Sequence, residues 1–184
     1  MAGSQNIRHA VRILRAGGII AYPTEGVFGL GCLPEKQSAV SDILAIKGRD
    51  ASRGLVLIVS DPGQISTWID FPHTELDLTS TSDRPVSWII PASDSAPAWI
   101  SGDHDSIAVR LTTHPIANAL CTNADSAIVS TSANITGHAP ARNSLLLRRQ
   151  FDSLVDYIVP GECGPARGPS EIRDYLTGEI VRPA

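Results

Sequence analysis

Leu55-Val56-Leu57-Ile58-Val59 is the clearest strand in this chain, five consecutive apolar residues of which three are β-branched. Apolar at every position and too short for a helix, the run reads as a strand buried within a sheet. On its N-terminal side Val40, Ile43 and Leu44 mark one face of a helix from about Ser38 to Lys47. Before that, Ile19-Ile20-Ala21-Tyr22 predicts a second buried strand, stopped by Pro23. Ile7, Ala10, Val11 and Leu14 have the i, i+3, i+4, i+7 spacing of an opening amphipathic helix, and Gly17-Gly18 suit its end. On the C-terminal side Pro62 opens a short helix through Ile65 and Trp68, and Thr74 to Asp83 is polar. Val86 to Ile90, Ser106 to Arg110 and Ala127-Ile128-Val129 read as strands, and Pro115 suits the first turn of a helix through Cys121. A Gly-, Pro- and Arg-rich stretch then precedes Tyr157-Ile158-Val159 and Glu179 to Arg182. Strands and helices alternate without a strict βαβ rhythm, which predicts an α/β fold with a mixed, twisted sheet.

The 184 residues fit one domain, expected to span 1–184. A net charge of -4 argues against a strongly basic nucleic-acid coat. Cys32, Cys121 and Cys163 form no CxxC pair, which suits reduced thiols rather than a disulfide framework. Arg8, His9, Arg12 and Arg15 break up any signal-peptide core, and no stretch is apolar enough to span a membrane, so a cytoplasmic location is expected.

Generic catalytic motifs are missing: there is no GxxxxGK[ST] loop, HExxH or GxSxG, and Pro34 stands where a dinucleotide fingerprint needs its third glycine. The five histidines lack metal-ligand spacing. Polar clusters instead gather where strands end, the usual place for ligands on α/β sheets. Tyr22-Pro23-Thr24-Glu25 offers the Thr24 hydroxyl, though locally it reads equally as a capped turn. Lys47, Arg49 and Arg53 can embrace phosphates or simply complement a helix dipole. Ser130-Thr131-Ser132-Ala133-Asn134 supplies neutral donors and acceptors, or caps the next element. Arg110 ends a strand where a cation can meet a carboxylate, and Arg182 reads locally as a solvated charge.

Taken together, these clusters resemble the YrdC/Sua5 family in order along nearly the whole chain. Tyr22-Pro23-Thr24-Glu25-Gly26-Val27-Phe28-Gly29-Leu30-Gly31 is similar to its opening signature, and Lys47-Gly48-Arg49 with Ser132-Ala133-Asn134 to its KxR…SxN tetrad. Ser106-Ile107-Ala108-Val109-Arg110 and the tail from Pro169 to Asp174 also fit, the tail resembling the short bacterial branch without a Sua5-type C-terminal domain. The resemblance implies a YrdC-like twisted mixed sheet with packed helices and a concave, positively charged cavity. It implies a nucleotidyltransferase that makes threonylcarbamoyl-AMP and pyrophosphate from L-threonine, bicarbonate or CO2, and ATP with Mg2+. A TsaB/TsaD/TsaE-type complex would then modify adenosine 37 of tRNAs reading codons that begin with A, and RNA or tRNA binding is a further partner expectation. Carried over residue by residue, Lys47, Arg49, Ser132 and Asn134 are the expected catalytic set. Arg53, Ser106 and Arg182 join them on ATP, while Thr24, Arg110 and Ser130 hold threonine, and no protein metal site is expected.

The chain departs from the family pattern at several points. Gly26 and Phe28 replace a common Thr and Tyr, Ser82 to Ser87 replaces a Trp-Pro-Gly-Pro-Val-Thr stretch, and Pro140 and Glu171 replace hydroxyl residues. Two rival readings are an RNA-binding module using the same cavity and a carbamoyl-adenylate enzyme of the hydrogenase-maturation type. The latter carries zinc-finger cysteines that are missing here.

Overall fold

The computed structural model describes residues 3–79, 84–166 and 170–183. Ser82 and Asp83 of the altered stretch, and Pro169 of the tail, lie outside the described residues. Helix α1 (Ser4–Arg15) buries Ile7, Ala10, Val11 and Leu14, the stripe its spacing predicts. It is followed by β1 (Ile20–Pro23), β2 (Phe28–Gly31), α2 (Gln37–Lys47), β3 (Val56–Val59) and β4 (Val86–Pro91). The chain continues through α3 (Ala98–Ser101), β5 (Ser106–Leu111), α4 (Pro115–Ala124), β6 (Ile128–Ser132) and α5 (Ser144–Phe151). It closes with β7 (Tyr157–Ile158), β8 (Glu171–Asp174) and β9 (Ile180–Arg182).

Among the described residues the strands form one sheet in the order β7-β1-β2-β6-β3-β5-β4-β8-β9. Three parallel pairs (β1 with β7, β3 with β5, β4 with β8) are interspersed among antiparallel ones, so the sheet is mixed, as expected. The two-residue period of each strand sorts its side chains between two layers. Leu57, Val59, Ile107, Val109 and Val129 face a core shared with α2. Ala21, Phe28 and Leu30 face Leu147 and Phe151 of α5. On the opposite face Ile20, Tyr22, Ile58 and Ile128 pack beneath α1 and α4. That cover is partial. Val56, Ser130 and Ser132 share strands and face with Ile58 and Ile128, and Ala108 and Arg110 lie in register with Val56 and Ile58 on the same face, yet all five line an open cavity.

The helices and strands expected from the sequence are present, with β1, β3, β6 and β9 each beginning one residue later than expected, and with the short helix opened by Pro62 reduced to a 3-10 turn, Pro62–Ile65, that stops before Trp68. Among the described residues β2, α3, α5 and β8 are additional, with two short 3-10 turns, Ala51–Arg53 and His73–Glu75. Their sequences carry glycines, a single short turn, or polar residues on half-covered surfaces, so apolar periodicity did not announce them. No helix among the described residues is long and apolar enough to cross a membrane.

Candidate active site

The cavity encloses about 940 Å³ where the sheet emerges from beneath α1 and α4. Three chain segments bring cations to its wall. The first begins at the end of α2, where Gly48 takes the left-handed conformation (φ 56°) and its amide bonds the Ala45 carbonyl. A glycine adopts this geometry without the Cβ penalty other residues meet. The chain therefore turns abruptly, and Arg49 reaches the cavity directly after Gly48 while Arg53 does so on the short 3-10 turn Ala51–Arg53. Arg49 Nη2 donates to the Gly54 carbonyl at 2.8 Å, which fixes the guanidinium, and its Nε is buried with no partner. The second segment is β5, which supplies Ser106, Ala108 and Arg110. The third is the C-terminal hairpin of β8 and β9, supplying Ile172, Val181 and Arg182. Arg182 Nη2 donates to the Ser170 carbonyl at 2.9 Å.

Burial lowers the Arg49 pKa, and the positive charges of Arg53 and Arg182 lower it further. Arg53 and Arg182 thus each repel Arg49 across one wall. A polyanion relieves that repulsion, and the planar donor forks of arginine match phosphate oxygens.

A second region of the cavity is built differently. Glu25, in the β1–β2 turn, accepts at Oε1 from Thr112 Oγ1 (2.6 Å) and from the amides of Thr113 (3.0 Å) and His114 (3.3 Å). Its Oε2 faces Arg110 Nη2 at 3.5 Å, with both side chains largely buried. Burial pushes the Glu25 carboxyl upward, but Arg110 and the Thr112 and Thr113 hydrogen bonds prevail and hold it below the usual carboxylate range. Glu25 therefore stays ionised and fixes Arg110 beside Thr24 and Ser130 on the cavity wall. The Thr24 hydroxyl donates to the Val27 carbonyl at 2.7 Å, closing the turn. A cation with flanking hydroxyls suits a small carboxylate-bearing ligand.

The structure thus brings Thr24, Arg49, Arg53, Ser106, Arg110, Ser130, Ser132 and Arg182 to one cavity. Lys47 and Asn134 stand behind its wall. Lys47 Nζ donates to the Ser132 carbonyl (2.6 Å), the Asn134 carbonyl (2.8 Å) and Asn134 Oδ1 (3.1 Å). Asn134 Oδ1 also accepts from Ser132 Oγ at 2.5 Å. Lys47, Ser132 and Asn134 therefore form a connected bracket, from which Ser132 projects into the cavity, while Arg49 enters it separately, held by the Gly54 carbonyl. Glu25 is the functional group that sequence reasoning left without a role. It lies beside Thr24 in the quoted motif, but its partners Arg110 and Thr112 are more than eighty residues away.

Comparison with known proteins agrees with this architecture. The family model described as "Telomere recombination" (Sua5/YciO/YrdC) matches residues 12–184. A Nitrosococcus oceani protein named threonylcarbamoyl-AMP synthase is 48% identical over 179 residues, covering 96% of each chain. Among solved structures, E. coli YciO superposes with a TM-score of 0.83 at 25% identity, covering 98% of this chain and 89% of that one. A P. abyssi Sua5 complexed with L-threonine gives a TM-score of 0.83 at 28% identity over 92% of this chain. This chain spans only 51% of that Sua5's length. With the signature motifs in order, the sheet expected of them and a family match across nearly all its residues, the chain belongs to the Sua5/YciO/YrdC family.

Proposed function

We propose that this protein is an L-threonylcarbamoyladenylate synthase, converting L-threonine, bicarbonate or CO2, and ATP to threonylcarbamoyl-AMP and pyrophosphate. The observation that carries this reading is the 48% identity, along nearly the full length of both chains, to a relative bearing that activity as its name. The cavity supports it chemically, having one wall suited to a polyphosphate and another suited to an amino acid's carboxylate.

In this reading Arg49, Arg53 and Arg182 hold the ATP phosphates, with Ser106 and Ser132 as neutral donors, and Lys47 with Asn134 keeps Ser132 in place. Arg110, fixed by Glu25, takes the threonine carboxylate, and Thr24 and Ser130 line the same subsite. The threonine nitrogen bonds to the carbon of CO2 and releases a proton, giving a carbamate. A carbamate oxygen attacks the α-phosphorus, and the bond to the β-phosphate bridging oxygen breaks. Pyrophosphate leaves with that electron pair. Such a transfer depends on positioning and charge neutralisation rather than a protein nucleophile. Mg2+ travels with ATP on phosphate oxygens. Among the described residues no group of three or more His, Cys, Asp or Glu side chains is arranged to hold a metal. The product then passes to a TsaB/TsaD/TsaE-type complex acting on tRNA.

The test is pyrophosphate release by the purified protein with ATP and Mg2+, adding threonine and bicarbonate separately and together. Release that requires both co-substrates is expected, and Arg49→Ala should abolish it. ATP turnover indifferent to threonine, or none at all, overturns the reading.

A further inference from the structure

Tyr22 joins the core beneath α1 and α4 to the wall of the cavity. Its side chain is fully buried in the cluster with Ile20, Ile58 and Ile128. The ring lies against two glycines of β2. A Cβ on Gly31 would stand 2.9 Å from Tyr22 Cε1, and one on Gly29 would stand 3.4 Å from Tyr22 Cζ. The same Gly29 position lies 3.5 Å from Ser130 Oγ and 3.4 Å from Thr24 Cγ2. The phenol end of Tyr22 therefore reaches the strip where Thr24 and Ser130 face the cavity.

That hydroxyl is buried and has no hydrogen-bond partner. Burial pushes the phenol above its ordinary range against a smaller opposing pull from the Ser130 hydroxyl, so Tyr22 keeps its proton at any working pH. A phenylalanine would fill the same space without leaving a buried donor unpaired. The tyrosine oxygen is thus unexplained by packing and sits beside a cavity-facing hydroxyl.

We propose that Tyr22 is a positioning residue for the amino-acid substrate: its unpartnered hydroxyl donates to Ser130 Oγ once substrate is bound, so that the Ser130 proton points at a threonine oxygen. This rests on the reading above, which puts threonine beside Thr24, Ser130 and Arg110. Tyr22 itself touches no substrate. Its action is transmitted through one hydroxyl.

The experiment is steady-state pyrophosphate release by wild type, Tyr22→Phe, Ser130→Ala and the double variant, each with threonine and ATP varied in turn, beside thermal melts. Tyr22→Phe is expected to raise the KM for threonine about fivefold, the worth of one ordinary hydrogen bond. The KM for ATP and the melting temperature should hold. In the Ser130→Ala background the same substitution should add nothing, because the groups act as a unit. An unchanged threonine KM, an equal rise in the Ser130→Ala background, or a parallel loss for ATP overturns the proposal while threonine-dependent wild-type turnover leaves the activity assignment standing. Wild-type turnover that ignores threonine overturns both.

Discussion

Lys47 has all three ammonium protons engaged, by the Ser132 and Asn134 carbonyls and by Asn134 Oδ1, and only 3% of its surface is exposed. Its backbone carbonyl also accepts from the Thr136 amide at 3.0 Å, so one residue clamps the end of α2 to the segment after β6. Removing the side chain takes the ammonium donor from all three oxygens; the Ser132 carbonyl keeps the Asn134 amide and Asn134 Oδ1 keeps the Ser132 hydroxyl, so the Asn134 carbonyl bears the main loss. Lys47→Met, similar in length, should lower stability by about 2 kcal/mol at pH 7 and reduce activity by loosening Ser132; urea unfolding at pH 7 checks the first part. An unchanged midpoint would mean that the segment holds itself. Burial, with the Arg49 charge adding to it, pulls the Lys47 pKa down to about 8. From about pH 8 to the ordinary lysine value near 10.4, the unfolded chain holds a proton that the folded one has released. The Lys47 contribution to stability therefore rises with pH across that window, while below about 8 both states are protonated and the burial penalty is present in full. Lys47→Met should flatten this slope in melts between pH 7 and 10.5. The Lys-Gly-Arg spacing made Lys47 and Arg49 equivalent phosphate candidates in the sequence. Only the packing of α2 against the residues after β6 separates the bracket from the projecting cation.

Glu25 acts between elements, joining the β1–β2 turn to the backbone amides that open α4 and to Arg110 on β5. Its carboxyl is held below the usual range, so its contribution is complete above the unfolded glutamate value near 4.3 and is lost as pH falls through the folded value. Wild type should therefore lose melting temperature more steeply than Glu25→Gln below about pH 4.3; identical slopes would exclude the ion pair as a source of acid sensitivity. β2 illustrates why part of the sheet was illegible. Phe28-Gly29-Leu30-Gly31 alternates with glycine, which weakens strand propensity, so apolar periodicity gives no warning of a central strand. The tertiary structure requires those glycines. A Cβ at Gly31 would meet the Val129 carbonyl at 2.4 Å and Ile128 Cγ2 at 2.9 Å. Gly31→Ala should thus destabilise by about 3 kcal/mol, the upper range for overpacking, or prevent folding, readable by thermal melt. By contrast β1 and β3 were legible because their apolar runs are almost wholly buried, and β5 because buried Ile107 and Val109 alternate with cavity-facing Ser106, Ala108 and Arg110. β8 was hidden because Glu171-Ile172-Arg173-Asp174 is polar and only half-covered, although the family resemblance had already singled out that tail.

On the scale of the whole molecule, the candidate site exists only when distant parts of the chain meet. Thr24 lies near one end of the sequence and Arg182 near the other, yet both line one cavity. The sheet achieves this through its strand order, which sets β1 and β2 on one side of β6 and β3, and the β8–β9 hairpin beyond β5 and β4 on the other. The hairpin is the least anchored part of that wall. β9 pairs with β8 alone at the sheet edge, and Ile180, Val181 and Arg182 are all exposed. Its place in the fold therefore adds little burial, while its place in the cavity adds a cation to a wall already carrying Arg49 and Arg53. Arg182→Ala should raise the KM for ATP about tenfold, in keeping with one charge-assisted hydrogen bond to phosphate, with the KM for threonine and the melting temperature nearly unchanged. Removing residues 176–184 should reproduce that kinetic signature with only a modest loss of stability. A matching rise for both substrates would instead mean that the hairpin shapes the cavity as a whole, and unchanged ATP kinetics would remove Arg182 from the phosphate wall.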